Sequence, residues 1–394
     1  MTVTDTPAPA ASLLPAGFLA LGTFAIGTES FMIAPLLPNM AVDFGRSVPE
    51  VALLVVVFTL TMALSAPFTA TLTAGLSRRR VLLAAMTLFT AGNLLAVWSP
   101  SFGVLMVARV AMAVASGLYI PGANGLAGVI VPQHLRGRAL AIVSAGQTLA
   151  IALGLPLGGL VGHAFGWRAT FAAVGAISLT AIVGILSGID RDAGAGLGVA
   201  TLRERLAVLK VGAVLRFLAV SLFWSIGAYA AYPYIAPYLA DVLGFGNEGV
   251  MAVVSLWGIS AAAGVLTGGI LNDRFGSSRV AGWSLALLGL SFLTLSVTAL
   301  ALRSIALPPV LFAVVLWGFT VWSFFPAQMS RLIGAVRPAQ ASLVLALNTS
   351  TMYLGFSIGS ALGALLLGTG AIWTIGALAA LSEFIALLID RKAR

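Results

Sequence analysis

The chain has 394 residues, of which 60% are hydrophobic and 8% charged, and its mean hydropathy of +1.07 excludes a soluble domain and reads as an integral membrane protein. Cysteine is absent and histidine occurs only at His134 and His163, which excludes disulfides and thiolate metal sites and leaves little material for imidazole chemistry. The 21 Lys and Arg against 12 Asp and Glu give +9, an excess that the placement of the charges explains without nucleic acid.

Crossing a hydrocarbon core of roughly 30 Å takes about 20 apolar residues. Twelve such runs are present, at 14–38, 49–74, 81–98, 101–131, 139–161, 169–189, 214–240, 249–271, 280–302, 306–330, 341–367 and 370–389. The first twelve residues hold no Lys or Arg, so residues 1–13 read as a disordered N-terminus and the first run as a retained span, not a signal peptide. Inside that run, GTESFMIAPLLP (27–38) carries the carboxylate Glu29. A charge at this depth is expensive and is expected to face the bundle interior or a wet cavity.

Span 4 carries Arg109. Glu29 lies nine residues from Pro38, and Arg109 nine residues from Pro100; at 1.5 Å per residue both sit roughly 13 Å below the same surface. Burial favours the neutral form of a carboxyl and a neighbouring arginine the ionised form, so a small change in hydration or distance between two states can switch the group. Glu29 and Arg109 are therefore the proton-coupling candidates. Span 5 has Gly146, Ala150, Gly154, Gly158 and Gly162 at successive i+4 positions, and span 11 has Thr351, Gly355, Gly359 and Gly363. Such stripes let helices approach closely in lipid. Pro156 removes one backbone hydrogen bond and is expected to kink span 5.

The hydrophilic stretch 190–213 is a cytoplasmic linker that divides the chain into two six-helix bundles, 14–189 and 214–390, with a tail at 391–394. Ile33-Ala34-Pro35 recurs as Ile235-Ala236-Pro237 at an offset of 202, and the loop 71–80 aligns with 269–278 at an offset of 198. Span 7 opens the second half with Tyr229, Tyr232, Tyr234 and Tyr238. Together with Trp224, Trp257, Trp317 and Trp322, which lie away from the span ends, these rings suit amphiphilic, planar or sugar-like ligands; Tyr238 reads as an interface anchor. Span amides needing partners are Asn93, Asn124, Gln147, Gln328 and Asn348. Glu383, in span 12, reads as snorkelling to the headgroups.

With the N-terminus inside, 17 Lys and Arg fall on inner segments (among them Arg78, Arg79, Arg80 and Arg331) and three on outer loops. That asymmetry orients both termini to the cytoplasm. Trp98, Trp167 and Trp373 fall at outer span ends, as an aromatic belt requires. Parallel six-span halves facing each other across the membrane are a transporter plan that works by rocking.

GILNDRFG (269–276) resembles the loop motif of the major facilitator superfamily, VARVAMAVASG (107–117) its span-4 arginine motif, and GLPLGG (154–159) the antiporter motif of its proton-coupled exporters. The GT-E-F pattern of span 1, RGRA (136–139), GWRATF (166–171) and YPYIAP (232–237) are similar to the drug and sugar efflux permeases of the twelve-span drug:proton antiporter group. The resemblance implies the major facilitator fold, an all-α membrane protein of two pseudo-symmetric six-helix bundles. It also implies proton-coupled export of small drug-like, sugar or metabolite molecules by alternating access. The proton gradient is then the energy source, with no cofactor and no metal, and the protein is a monomer in the bacterial inner membrane.

The resemblance further implies gating roles for Asp273, Arg274, Arg79, Gly154, Pro156 and Gly158. Family geometry puts Asn124, Gln147 and Asn348 on the cavity, ahead of Asn93, beside Trp224, Tyr229, Tyr232, Trp257, Trp317 and Trp322 as substrate contacts. Two positions depart from the pattern: Gly75 stands where the first-half loop motif carries its aspartate, and Glu29 is one position earlier than in GTxEF. The rival transport mode is proton-coupled uptake of a metabolite. No HExxH, Gly-x-Ser-x-Gly or GxxxxGK[ST] occurs, so an embedded enzyme or a nucleotide-driven pump is not expected. A channel would need a polar-lined pore or filter ring.

Overall fold

The computed structural model describes residues 12–73, 76–194 and 208–391; Gly75 and most of the linker lie outside them. Among the described residues, eleven helices are long and apolar enough to cross a membrane, or twelve if the bent pair Leu14–Met32 and Ala34–Phe44 counts as one. In order the spans are Leu14–Met32, Leu53–Leu72, Arg78–Val97, Phe102–Ala127, Arg136–Leu149 continued by Leu155–Phe165, Trp167–Gly188, Gly212–Ala231, Asn247–Phe275, Ser277–Ala301, Leu307–Gly334, Ala341–Gly368 and Trp373–Arg391. Twelve crossings return the chain to the face it started from, the terminal face; the opposite one is the far face.

Spans 1 and 7 are broken by the same device. Pro35 has no N–H to give the carbonyl of Phe31 and its ring crowds that turn, so the helix stops at Met32 and passes through a 3₁₀ turn, Ala34–Leu36, into Leu37–Phe44. That short helix ends at Gly45 with φ +60°. Span 7 passes through Tyr232–Tyr234 into Ile235–Leu243 and ends at Gly244 with φ +66°. Pro35 thus corresponds to Pro233, an offset of 198, which agrees with the loop alignment and corrects the offset of 202 expected from the two Ile-Ala-Pro strings. Pro237 lies in the first turn of the helix after the break, where a missing N–H leaves no hydrogen bond unmade.

The small-residue stripes form the seams within each half. A side chain at Gly146 would strike Ala20 and Thr23, at Gly154 Thr28, at Gly158 Met32 and at Gly162 Leu36, so span 5 lies along span 1 for its whole length. Gly355, Gly359 and Gly363 do the same for span 11 against span 7, meeting Ser225, Ile226 and Tyr234. Ahead of Pro156 the chain widens into a π-helical turn, Ala150–Gly154, so the freed hydrogen bond is absorbed locally.

The two halves meet where span 2 packs on span 11 and span 5 on span 8. The side-chain contacts between them concentrate in the half of the membrane nearer the far face. Ser357 donates to the carbonyl of Val56 at 3.1 Å, Met251 packs against Gly159, and the Ile151 carbonyl abuts Gly258. The Tyr232 hydroxyl donates to the Phe31 carbonyl at 2.8 Å, which is the acceptor that Pro35 leaves unused. The molecule is closed at its far face.

Several charged and aromatic residues sit elsewhere than their sequence positions imply. Trp98 is exposed, but Trp167 is buried and donates to Asp43 at 2.8 Å instead of joining an aromatic belt. Tyr238 is buried and donates to the Leu295 carbonyl at 2.7 Å, so it ties span 9 and does not anchor at the interface. Arg331 is not a loop charge: span 10 runs on to Gly334 and buries it in an ion pair with Asp390 of span 12.

Candidate proton and substrate site

Glu29 and Arg109 form an ion pair between spans 1 and 4, and neither side chain has any exposed surface. Phe58 of span 2 lies against the guanidinium with its ring centre 4.1 Å from Arg109 Cζ, and Arg109 Nε donates to the Leu54 carbonyl at 3.3 Å. Among the described residues, Glu29 Oε2 and Arg109 Nη2 find no hydrogen-bond partner. A carboxylate and a guanidinium together offer about nine hydrogen-bonding positions, and this shell fills few of them. Tyr229 of span 7 is close enough to Arg109 to interact with its charge across the divide between the halves. The pair lies in the bundle interior, one of the two settings expected of a charge at this depth.

Its position follows from the local fold. The span 1–span 5 seam commits Gly27 and Thr28 to span 5, where Gly27 meets Ala150 and Thr28 meets Gly154. A helix advances 100° per residue, so the next side chain, Glu29, turns off that seam and pairs with span 4. Tyr119, two to three turns along span 4, donates to the Leu19 carbonyl at 3.2 Å and holds spans 1 and 4 together below the pair.

Next to the pair, on the other half, stands a continuous aromatic cluster. Tyr229 stacks on Phe356 at 3.8 Å between ring centres, and Tyr232 contacts Tyr229 at 5.6 Å and Trp257 at 4.7 Å. Trp257 meets Trp317 at 5.7 Å, while Phe31 reaches across to Tyr232 at 5.9 Å and Trp322 at 5.8 Å. The indole N–H groups of Trp224, Trp257, Trp317 and Trp322 all lack an acceptor among the described residues. The cluster offers ring faces and the spare indole donors of Trp257 and Trp322, suited to a flat molecule carrying acceptor oxygens.

The residues expected to touch substrate therefore separate. Tyr229, Tyr232, Trp257 and Trp322 join the cluster beside the charge pair. Trp224 stacks on Phe324 at 4.9 Å and Trp317 meets Phe292 edge-to-face at 5.1 Å; both are enclosed within the C-terminal half. Gln147 is half-buried with its Oε1 unpartnered, whereas Asn124 donates to the Ile120 carbonyl of its own helix at 3.2 Å. Asn348 is buried and accepts from Ser221 at 2.6 Å. That hydroxyl also accepts from Gln328 at 2.9 Å, and Arg331 donates to Gln328 at 3.3 Å. In this network the Asn348 carbonyl already accepts one hydrogen bond. Phe31, Phe58 and Phe356 carry no polar signal and were not singled out from the sequence, although Phe31 lies inside the GTESFMIAP stretch.

The gating candidates divide likewise. Gly154 and Gly158 are seam residues and Pro156 follows the π turn. Arg79 donates to the carbonyls of Leu186 at 2.8 Å and Ile185 at 3.4 Å, closing the end of span 6 within its own half. Asp273 and Arg274 are exposed at the end of span 8, and Arg274 lies 5.2 Å from its neighbour Phe275. Two clefts, a 460 Å³ one between the halves at the far face beside His163 and Asp241 and a 520 Å³ one beside Asp190 and Asp192, both lie away from the charge pair.

The sequence profile of the Major Facilitator Superfamily matches residues 19–267 and 217–394. An uncharacterized MFS-type transporter, YbcL of Bacillus subtilis, is 29% identical over 372 residues, 94% of this chain and 93% of the relative. The chloramphenicol resistance protein of Streptomyces lividans is 35% identical over 263 residues, 66% of this chain and 67% of the relative. Among solved structures, a bacterial homologue of the human lysosomal transporter Spinster, in an inward-facing and unoccupied conformation, superposes with a TM-score of 0.71. It shares 18% identity and covers 97% of this chain and 98% of the other.

Proposed function

The chain belongs to the major facilitator superfamily as a multi-pass membrane transporter, and from that premise we propose that it is a proton-driven antiporter exporting small organic molecules by alternating access. The observation that carries this reading is the buried Glu29–Arg109 pair with Oε2 and Nη2 unpartnered. A purely structural bridge would have its remaining donors and acceptors satisfied by the protein. This one keeps capacity for a proton and sits beside rings from the opposite half.

Protonating Glu29 removes the counter-charge of Arg109. An uncompensated buried charge costs about 3 to 5 kcal/mol, comparable to the roughly 5.5 kcal/mol that inverts a two-state equilibrium from 1:99 to 99:1. One proton therefore biases the halves strongly toward an arrangement in which Arg109 is hydrated or meets another partner. The substrate occupies the cluster of Tyr229, Tyr232, Trp257 and Trp322, stacking on rings and accepting from indole N–H groups. A phenicol carries a ring and acceptor oxygens and suits that chemistry, and a chloramphenicol resistance protein is among the relatives. On this reading the protein needs no cofactor, acts as a monomer in the bacterial inner membrane and keeps both termini cytoplasmic.

Everted membrane vesicles energised to an acid interior test the transport mode. Addition of the transported phenicol, lipophilic cation or sugar collapses the pH gradient in vesicles containing the protein and leaves control vesicles unaffected. A panel in which no compound collapses the gradient, while one of them is accumulated by proton-coupled uptake in intact cells, would replace export by symport.

A further inference from the structure

Span 12 carries an acid that the mechanism above leaves unused. Glu383 does not snorkel: the helix runs Trp373–Arg391, which puts the residue near its middle, roughly 12 Å from the terminal-face end by helical rise. It is fully buried, and neither carboxyl oxygen has a hydrogen-bond partner among the described residues. The side chain projects at span 7 into the space left by Gly227, where a Cβ would stand 2.5 Å from Oε1 and 2.9 Å from the Ala379 carbonyl. The adjacent Ser382 donates to the Phe223 carbonyl at 2.7 Å and pins the same stretch of the two helices.

Titratable or charged groups on the elements around it point elsewhere. Span 12 packs on spans 7, 9 and 11. On span 7, Arg216 is three turns from Gly227, and Tyr229 stacks on Phe356. Span 9 offers Arg279, at its terminal-face end. Span 11 offers Tyr353, which also packs on Phe356. On span 12 itself, Asp390 pairs with Arg331 of span 10 and Arg391 ends the helix. A buried carboxyl without a cation is accommodated as the neutral acid. An amide or a hydrocarbon would fill the same niche, and what the acid adds is a transferable proton.

We infer that Glu383 is a second proton-binding site, in the C-terminal half, which holds its proton while span 12 is seated on span 7 and exchanges it when that contact opens. Asp390 lies seven residues on, along the same helix face, between Glu383 and the terminal face. The chain of Arg331, Gln328, Ser221 and Asn348 beside it continues the polar route.

The test is infrared difference spectroscopy of the purified full-length protein in lipid, titrated with pH and repeated in deuterated buffer. The wild type shows a protonated-carboxyl C=O band that shifts on deuteration and fades as pH rises; it is lost in Glu383→Gln and retained in Glu29→Gln. Identical spectra for wild type and Glu383→Gln overturn the assignment, and so does a band at Glu383 that neither titrates nor shifts. If Glu383→Gln does not fold, Glu383→Asp must move the band, and an unmoved band overturns it equally. No substrate is used, so a failure of proton-coupled transport leaves this result standing.

Discussion

Glu29→Gln removes a charge without changing shape, which makes it the most informative single substitution. It strands Arg109 in the bundle, and the expected loss is about 3 kcal/mol of stability, read as a lower melting temperature in detergent. The double variant Glu29→Gln with Arg109→Met removes both charges and recovers most of that stability while remaining inactive in transport. Recovery of both stability and transport would make the pair a structural bridge only. The two partners were legible in the sequence because intramembrane charges are costly and these two share a depth. Their surroundings were not legible: Phe58 and the Leu54 carbonyl carry no signal that distinguishes them from any other span residue. The snorkelling expected of Glu383 fails because the sequence of span 12 says nothing of Gly227, the glycine on another helix that makes room for it.

The broken spans and the glycine seams set the relations between elements. The Tyr232 hydroxyl caps the carbonyl that Pro35 abandons, so Tyr232→Phe costs about 1 kcal/mol of the far-face closure, measured as faster labelling of a cysteine introduced beside Phe31. Labelling at the wild-type rate would mean that the bond does not contribute to closure. In the span 5 seam a methyl at Gly154 strikes Thr28, whereas Gly17 has open space around it. Gly154→Ala therefore lowers the melting temperature and transport, Gly17→Ala leaves both unchanged, and Thr28→Gly partly rescues the first. Equal effects from the two alanines would contradict the seam. The stripes were readable because i+4 spacing fixes a helix face whatever the partner is. The Ile-Ala-Pro strings misled because a proline's effect depends on whether it interrupts a helix, as Pro35 does, or opens one, as Pro237 does.

At the scale of the whole molecule, hydropathy and repeat structure were enough to specify twelve crossings and two halves, while the state of closure was not written in the sequence. Closure depends on contacts between distant segments, such as Ser357 with Val56 and Met251 with Gly159, for which one chain offers no pattern. The chain contains no cysteine, so Gly159→Cys with Met251→Cys is a clean pair. A short bifunctional thiol reagent is expected to join them in the resting protein and abolish transport, with recovery on cleavage; a pair that never reacts would place the closure elsewhere. In the proposed antiport, protonation of Glu29 drives the rocking of the two halves. The most direct test uses purified protein in liposomes with a pH-sensitive dye inside and an imposed gradient of the exported substrate. Wild type moves protons only when substrate is present, and Glu29→Gln moves none. Substrate-dependent proton movement that persists in Glu29→Gln would contradict the account.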